Sequence, residues 1–210
     1  MQIHKKIFLV AAIFSIILFS LLLTACNAEK NKENEKSNST QGEEMKNPVV
    51  VMETSKGTIE IELNAKNAPV STENFLKYVN EGFYDGTVFH RVMAGFMVQG
   101  GGFLPNGTQK TTHDPIELES KNGLKNLKGT IAMARTTVPD SATSQFFINT
   151  ANNSFLDYGV RDEGYAVFGK VISGMDVVSA IEKVNTTTKS RNQNWPVEDV
   201  VIIKVYEKKN

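Results

Sequence analysis

Short β-rich runs are the feature that most limits how this chain folds. Eight of them lie between residues 49 and 206, and their β-branched and aromatic content is typical of strands. In the second run, Ile59, Ile61 and Leu63 alternate with polar residues, which indicates a hairpin with one buried face. The eight runs are Val49–Thr54, Thr58–Leu63, Val88–Met93, Phe96–Gly100, Thr130–Ala134, Phe146–Asn149, Ala166–Val171 and Val200–Tyr206.

Two further segments have the apolar spacing of α-helices. Ser71 or Thr72 can cap the first, and Gly82 can end it. The second runs from about Met175 to Val184. Eight strands with two helices favour mainly antiparallel β-structure, and closing such a sheet removes its exposed edges. We therefore predict a mainly β fold, a closed eight-stranded antiparallel barrel capped by two α-helices. Periodicity alone does not exclude a β-sandwich.

The N-terminus has the features of a lipoprotein signal peptide. Lys5 and Lys6 precede an apolar stretch over residues 7–23, about the length of a signal-peptide core or a short membrane span. Small residues then precede Cys26, and this order matches the bacterial lipobox, in which the cysteine is lipidated after cleavage. A plain transmembrane anchor is the alternative. We predict a signal peptide at 1–25 and a lipid anchor at Cys26, which places the protein at the cell membrane, facing outside the cytoplasm.

Composition divides the remaining chain into a tether and one domain. Residues 26–47 are almost entirely polar and cannot bury enough surface to offset chain entropy, so we expect a disordered tether. Residues 48–210 have the length of a single domain with its own core.

Residue counts exclude several classes of site. Cys26 is the only cysteine, which rules out an internal disulfide and a thiolate cluster. Only His90 and His113 follow the signal peptide, too few for a histidine-rich metal site. Net charge is zero, whereas nucleic-acid binding requires a basic face. We expect no metal and no nucleic acid.

One arginine occupies an otherwise apolar, strand-like segment. Arg91 lies close in sequence to Phe96, Met97 and Gln99. A guanidinium stays charged at any ordinary pH and is a costly neighbour for apolar side chains unless it meets a partner. The sequence therefore indicates either an internal ion pair or a ligand at this position.

Three blocks of sequence carry a resemblance to a known family. They are FHRVMAGFMVQGGGF from Phe89, GTIAMARTTVPDSATSQFFIN from Gly129, and FLDYGVRDEGYAVFGKVISGMDVV from Phe155. With them, the chain from Val49 to Tyr206 resembles cyclophilins, the peptidyl-prolyl cis-trans isomerases, in a bacterial lipoprotein form. The family fold is an eight-stranded antiparallel barrel with two capping helices, in agreement with the strand count.

The resemblance implies a role for individual residues. Arg91 corresponds to the catalytic arginine and Phe147 to the base of the proline pocket. The implied catalytic residues are Arg91, Phe96, Gln99 and Phe147, and the implied substrate-binding residues are Met97, Ala134, Arg135, Gln145, Phe155, Leu156 and Tyr165. Three of these depart from the usual family residue: Phe155 replaces a tryptophan, Tyr165 a histidine and Arg135 an asparagine.

These residues suit isomerisation of an X–Pro bond, which needs no nucleophile, metal or redox group, so we expect no cofactor. The reaction needs only tighter binding of the twisted amide than of the planar one. The expected substrates are proline-containing unfolded or exported polypeptides, acted on by a monomer. A non-catalytic proline-peptide-binding chaperone or docking module would use the same groove, and a lipoprotein receptor for a small solute is a third possibility.

Overall fold

The computed structural model describes residues 47–209, and this part of the chain contains ten strands and two α-helices. The predicted signal peptide, Cys26 and all of the predicted tether except Asn47 lie outside these residues. No helix within residues 47–209 is long and apolar enough to span a membrane. The strands are β1 (Val49–Thr54), β2 (Gly57–Leu63), β3 (Arg91–Met93), β4 (Met97–Gly100), β5 (Thr130–Met133), β6 (Phe146–Asn149), β7 (Val167–Ser173), β8 (Thr186–Lys189), β9 (Asn192–Pro196) and β10 (Ile202–Glu207), and the helices are α1 (Pro69–Asn80) and α2 (Met175–Glu182).

Eight of the strands form one curled antiparallel sheet. Its order is β10-β1-β2-β7-β5-β6-β4-β3, and every neighbouring pair is antiparallel. The predicted fold class is therefore confirmed in its mainly β character, its eight antiparallel strands and its two helices. Strands β8 and β9 form a separate hairpin that was not predicted.

The prediction of a closed barrel is wrong, because the terminal strands β10 and β3 do not pair with each other. Between them, the segment 86–89 contacts residues 200–202 through an isolated antiparallel bridge, Val88 to Val201, and not through a continuous ladder. Strand β3 has three residues, too few to continue the ladder. The exposed edge of the sheet is instead the short strand β3, and the β8–β9 hairpin packs against it.

The main core fills the concave side of the sheet and carries both helices. Phe75 of α1 packs against Tyr84 and Phe146, with ring centroids 5.1 and 5.6 Å apart, respectively. Val178 and Ile181 bring α2 onto the same core, and all five side chains are fully buried. Burial of this much aromatic surface is the main contribution that fixes the helices to the sheet.

The predicted cap of the first helix is wrong. The helix begins at Pro69, so Ser71 and Thr72 lie inside its first turn. The acceptor comes instead from Glu119, whose carboxylate accepts hydrogen bonds from the backbone N–H groups of Val70 and Ser71 at 2.9 and 2.6 Å. A distant carboxylate thus does the work of a local N-cap.

Candidate active site

One row of paired residues across four strands forms the base of the site. Arg91 on β3 lies opposite Gln99 on β4, Gln99 lies opposite Phe147 on β6, and Phe147 lies opposite Ala132 on β5. Directly opposed residues of an antiparallel sheet project from the same face. Because successive residues alternate between faces, their neighbours, such as Val98, point into the main core. The site therefore occupies the face of the sheet opposite the core.

A pocket of about 350 Å³ opens on this face, within the size range of ligand sites. Ten of the eleven predicted catalytic and binding residues line it, and Arg161 lines it as well. The eleventh, Gln145, borders an adjoining cleft. The lining residues are Arg91, Phe96, Met97, Gln99, Ala134, Arg135, Phe147, Phe155, Leu156, Arg161 and Tyr165.

Arg91 is held at the rim of the pocket by amide side chains. Its Nη1 donates to Gln99 Oε1 at 3.4 Å, and Gln99 Nε2 donates to Gln145 Oε1 at 2.9 Å. Among residues 47–209, no carboxylate lies within ion-pair distance of the Arg91 guanidinium. Since a guanidinium has five N–H donors, most of those on Arg91 remain available to a ligand. The internal ion pair that the sequence left open is thus not formed by the described residues.

Seven of the eleven side chains that line the pocket are aromatic or aliphatic. Phe147, only 4% exposed, forms its floor, and the Tyr165 ring meets it edge-on with centroids 5.7 Å apart. Leu156, on a short 3₁₀ turn at Ser154–Leu156, is also buried. Phe155 lies on the same turn and stacks on Phe96 at 5.6 Å. Such walls accept an apolar ring that carries no N–H donor.

Arg135 contributes to the site mainly through its internal contacts. Its Nε donates to the Gly164 carbonyl at 2.8 Å, and its Nη2 donates to Asp162 Oδ1 at 2.9 Å. The same guanidinium lies 4.6 Å from the Tyr165 ring centroid, and the side chain is 4% exposed. Arg135 therefore holds the loop 157–164 and the Tyr165 wall in place.

Asp162 links Arg135 to a second arginine. Its carboxylate also accepts from Arg161 Nε at 3.0 Å. The Gly164 N–H, together with the two guanidinium groups, lowers the pKa of Asp162. Arg161 was not among the predicted site residues, although it lies within the third family block; its charge was the signal that could have identified it.

His90 is a packing residue. Its ring is buried, with its centroid 4.6 Å from that of Phe103 and 5.9 Å from that of Trp195. Burial, with the neighbouring Arg91 charge, lowers the pKa of His90 to about 4, so the ring is neutral at physiological pH. His90 Nδ1 has no hydrogen-bond partner among the described residues.

A second cleft of about 390 Å³ continues from the pocket and shares Arg91 and Gln99 with it. Gln145 forms part of its lining, and the turn of the β8–β9 hairpin, including Arg191, contributes the outer side. Sequence reasoning missed this hairpin and with it the whole outer side of the cleft.

A curled eight-stranded antiparallel sheet, two packed helices and a pocket with Arg91 at its rim define a cyclophilin-like protein. Residues 49–207 match the family described as cyclophilin type peptidyl-prolyl cis-trans isomerase/CLD. The chain therefore belongs to this family, and it is a peptidyl-prolyl cis-trans isomerase.

Relatives and solved structures agree with this assignment. The chain is 58% identical to peptidyl-prolyl cis-trans isomerase A of Dickeya dadantii, over 73% of this chain and 80% of that protein. It is 50% identical to peptidyl-prolyl cis-trans isomerase B of Escherichia coli, over 73% of this chain and 96% of that protein. A crystal structure of a Cryptosporidium parvum cyclophilin, determined in the presence of the dipeptide Ala-Pro, superposes with a TM-score of 0.63 at 26% identity, covering 77% of this chain and 99% of that one.

Proposed function

We propose that Arg91 catalyses X–Pro isomerisation by donating a hydrogen bond to the prolyl nitrogen as the amide twists. The observation that carries this proposal is the Arg91 guanidinium, which lies at the rim of an apolar pocket with no carboxylate partner among the described residues. The planar amide nitrogen is a poor acceptor because its lone pair is delocalised. When the bond twists, the lone pair localises and can accept from Arg91. The interaction therefore favours the transition state over the ground state.

The energy required is within reach of such a site. An uncatalysed barrier of about 20 kcal/mol corresponds to a rate of about 0.01 per second. A turnover near a thousand per second requires about 7 kcal/mol of additional stabilisation. A charge-assisted hydrogen bond in a partly dry site supplies a large share, and holding the reacting group in a fixed orientation supplies more.

The surrounding residues bind the proline ring and orient Arg91. Phe147, Leu156 and Met97 hold the pyrrolidine ring while the preceding carbonyl rotates. Gln99 orients Arg91 through its Oε1 atom and is itself held by Gln145. This arrangement leaves the guanidinium in a fixed position before substrate arrives, which lowers the cost of reorganisation.

The test compares isomerase activity and peptide affinity in Arg91→Ala. Loss of one preorganised donor is expected to lower kcat/KM by about 10²–10³-fold, because that donor acts in the transition state. Peptide Kd is expected to change only about threefold, as for an exposed polar contact. Lys66→Ala, which removes a cation from an exposed turn outside the pocket, is the matched control and keeps full activity.

The alternative, a proline-peptide-binding module, gives a different result in the same experiment. If Arg91 only binds peptide, Arg91→Ala lowers kcat/KM and peptide affinity by the same factor. Arg91→Lys separates charge from geometry, since lysine keeps the charge but loses the planar fork. Activity of Arg91→Lys equal to the wild type would refute a role for the directed guanidinium donors.

We also propose that the enzyme acts on exported polypeptides from a lipid anchor at Cys26. The support lies in the sequence: a basic start, an apolar stretch over residues 7–23 and small residues directly before Cys26. X–Pro isomerisation is a slow step in folding outside the cytoplasm as elsewhere. A single acyl chain binds membranes only marginally, so stable retention requires more than one chain at Cys26.

Metabolic labelling with a fatty acid tests the anchor. The full-length protein is expected to incorporate the label and to sediment with membranes, whereas Cys26→Ser is expected to do neither. A membrane-bound, unlabelled and uncleaved wild type would instead support the plain transmembrane anchor.

A further inference from the structure

The distribution of arginine in this chain is highly uneven. Its four arginines are Arg91, Arg135, Arg161 and Arg191, and all four line the pocket or the adjoining cleft. Within residues 47–209, neither cavity has an aspartate, a glutamate or a lysine in its lining. Other depressions of the surface mix both signs, as where Glu62 and Lys170 line one together.

Two of these arginines have no assigned role in the reaction. Arg161 lies at the Phe155 side of the pocket, and its side chain is 51% exposed. Asp162 neutralises only part of the charge there, since it is shared between Arg161 and Arg135. Two other carboxylates of the loop do not line the pocket: Glu163 is exposed, and Asp157 pairs with Lys125 at 3.7 Å. Among residues 47–209, the lining of the pocket at this side therefore includes the Arg161 guanidinium and no carboxylate.

Arg191 lies on the outer side of the cleft in a strained backbone conformation. It and Ser190 are the two turn residues between the paired Lys189 and Asn192, with φ of +70° and +49°. Such two-residue turns favour asparagine and glycine, because other residues meet steric strain there. Within residues 47–209, no carboxylate pairs with the Arg191 guanidinium. The Arg191 guanidinium therefore keeps its donors available to a ligand in the cleft.

We propose that Arg161 and Arg191 are specificity residues that recognise carboxylate side chains on the two sides of the substrate proline. The inference deepens the proposed function, and it rests on the pocket being where proline binds. Arginine offers a planar fork of donors that matches a carboxylate, which a lysine does not. The preferred substrates are therefore proline segments flanked by aspartate or glutamate. Arg135 takes no part in this recognition, because its side chain is buried and already hydrogen-bonded.

The test measures kcat/KM by NMR exchange on matched peptides that carry one proline flanked by Glu, Gln or Lys. The wild type is expected to prefer Glu over Gln, and Gln over Lys, by about threefold at each step at low salt. Arg161→Gln and Arg191→Gln are each expected to lower the Glu/Gln ratio, and the double variant to bring it to about one. Lys66→Gln makes the same charge change outside both cavities and keeps the ratio.

Two further measurements separate recognition from a structural effect. Between about 0.01 M and 1 M salt, the Debye length falls from about 30 Å to about 3 Å, so the wild-type ratio is expected to fall toward one. Arg191→Gly relieves the backbone strain and is expected to raise Tm by about 2–4 °C while it lowers the ratio. A purely structural Arg191 would not give these opposite changes.

The outcomes distinguish this inference from the proposed mechanism. A wild-type Glu/Gln ratio near one at low salt, or an unchanged ratio in the double variant, overturns the role of Arg161 and Arg191 alone. Retained activity in Arg91→Ala overturns the proposed mechanism instead, and the peptide preference can still be measured in that variant.

Discussion

Replacing Glu119 with alanine removes the acceptor that closes the N-terminus of α1. The carboxylate accepts from the backbone N–H of Val70 at 2.9 Å and of Ser71 at 2.6 Å, and from Ser71 Oγ at 2.6 Å. An ordinary N-cap side chain satisfies one such donor, whereas Glu119 satisfies two backbone donors. Its negative charge also faces the positive end of the helix dipole.

The cost follows from these contacts. Loss of an N-cap side chain costs about 1 kcal/mol, and a charge at a helix terminus contributes about 0.5 kcal/mol. The second backbone donor raises this free-energy cost, and water that reaches the partly exposed donors lowers it. We expect Glu119→Ala to reduce the free energy of unfolding by about 2 kcal/mol, which lowers Tm by about 4–8 °C in a domain of this size.

Urea unfolding followed by circular dichroism measures this change, with Glu117→Ala as the matched control. Glu117 lies two residues away, is exposed and has no hydrogen-bond partner among the described side chains, so its loss alters the charge equally but removes no cap. Both variants are expected to keep kcat/KM, because α1 packs on the core side of the sheet. A free energy of unfolding for Glu119→Ala within about 0.5 kcal/mol of that for Glu117→Ala would refute capping by Glu119.

Three further changes test other parts of the structure. Burial and the Arg91 charge lower the pKa of His90 from 6.5 to about 4, so between these pH values the unfolded chain binds more protons than the folded one. The free energy of unfolding is expected to fall by up to about 3 kcal/mol as the pH drops from 6.5 to about 4. His90→Gln is expected to flatten this part of the pH dependence, measured by urea unfolding. Gly164→Ala places a Cβ atom 2.5 Å from Tyr158 N at a φ of +68°. We expect it to reduce the free energy of unfolding by more than about 2 kcal/mol and to lower kcat/KM, and wild-type stability would contradict this. Arg135→Gln removes the guanidinium donors to the Gly164 carbonyl and the Asp162 carboxylate. We expect a lower Tm in thermal unfolding and a higher KM in peptide kinetics. An unchanged KM would argue against a role of Arg135 in supporting the pocket wall.

The strands of the main sheet could be predicted because alternation is a local signal. The bounds predicted for Val49–Thr54 and Phe146–Asn149 are those of β1 and β6. In Gly57–Leu63, every second residue from Ile59 is buried, as the apolar pattern required. Pairing between the ends of the sheet leaves no such signal, and so the strand count could not show that the barrel stays open.

Two features escaped prediction because their determinants lie far apart in the chain or on its surface. The β8–β9 hairpin begins with Thr186–Lys189, a largely exposed strand with no apolar alternation. The cap of α1 comes from Glu119, 48 residues beyond Ser71. Local capping rules consider only neighbouring residues and therefore pointed to Ser71 and Thr72.

Most of the residues that the structure brings to the pocket were named from the resemblance and not from spacing. Spacing alone singled out Arg91 as a charge in an apolar setting, but it could not place Phe147 or Leu156 beside it. Arg161 and Arg191 were missed because an arginine in a polar loop or turn is usually a solvated residue. Only the structure brings them to two adjoining cavities that share Arg91 and Gln99.

The two kinds of arginine in the site are held by different kinds of structure, and this difference has a consequence for function. Arg91 begins a strand, and its cross-strand row with Gln99 and Phe147 fixes its position to the main sheet, where rigidity is greatest. Arg161 lies in a loop and Arg191 in a hairpin turn, elements that tolerate substitution. Under the proposed roles, we expect a change at either loop position to alter which flanking residues are preferred without moving the Arg91 guanidinium. The proposed catalytic residue on the sheet and the proposed specificity residues on the loops can therefore be varied independently in experiments.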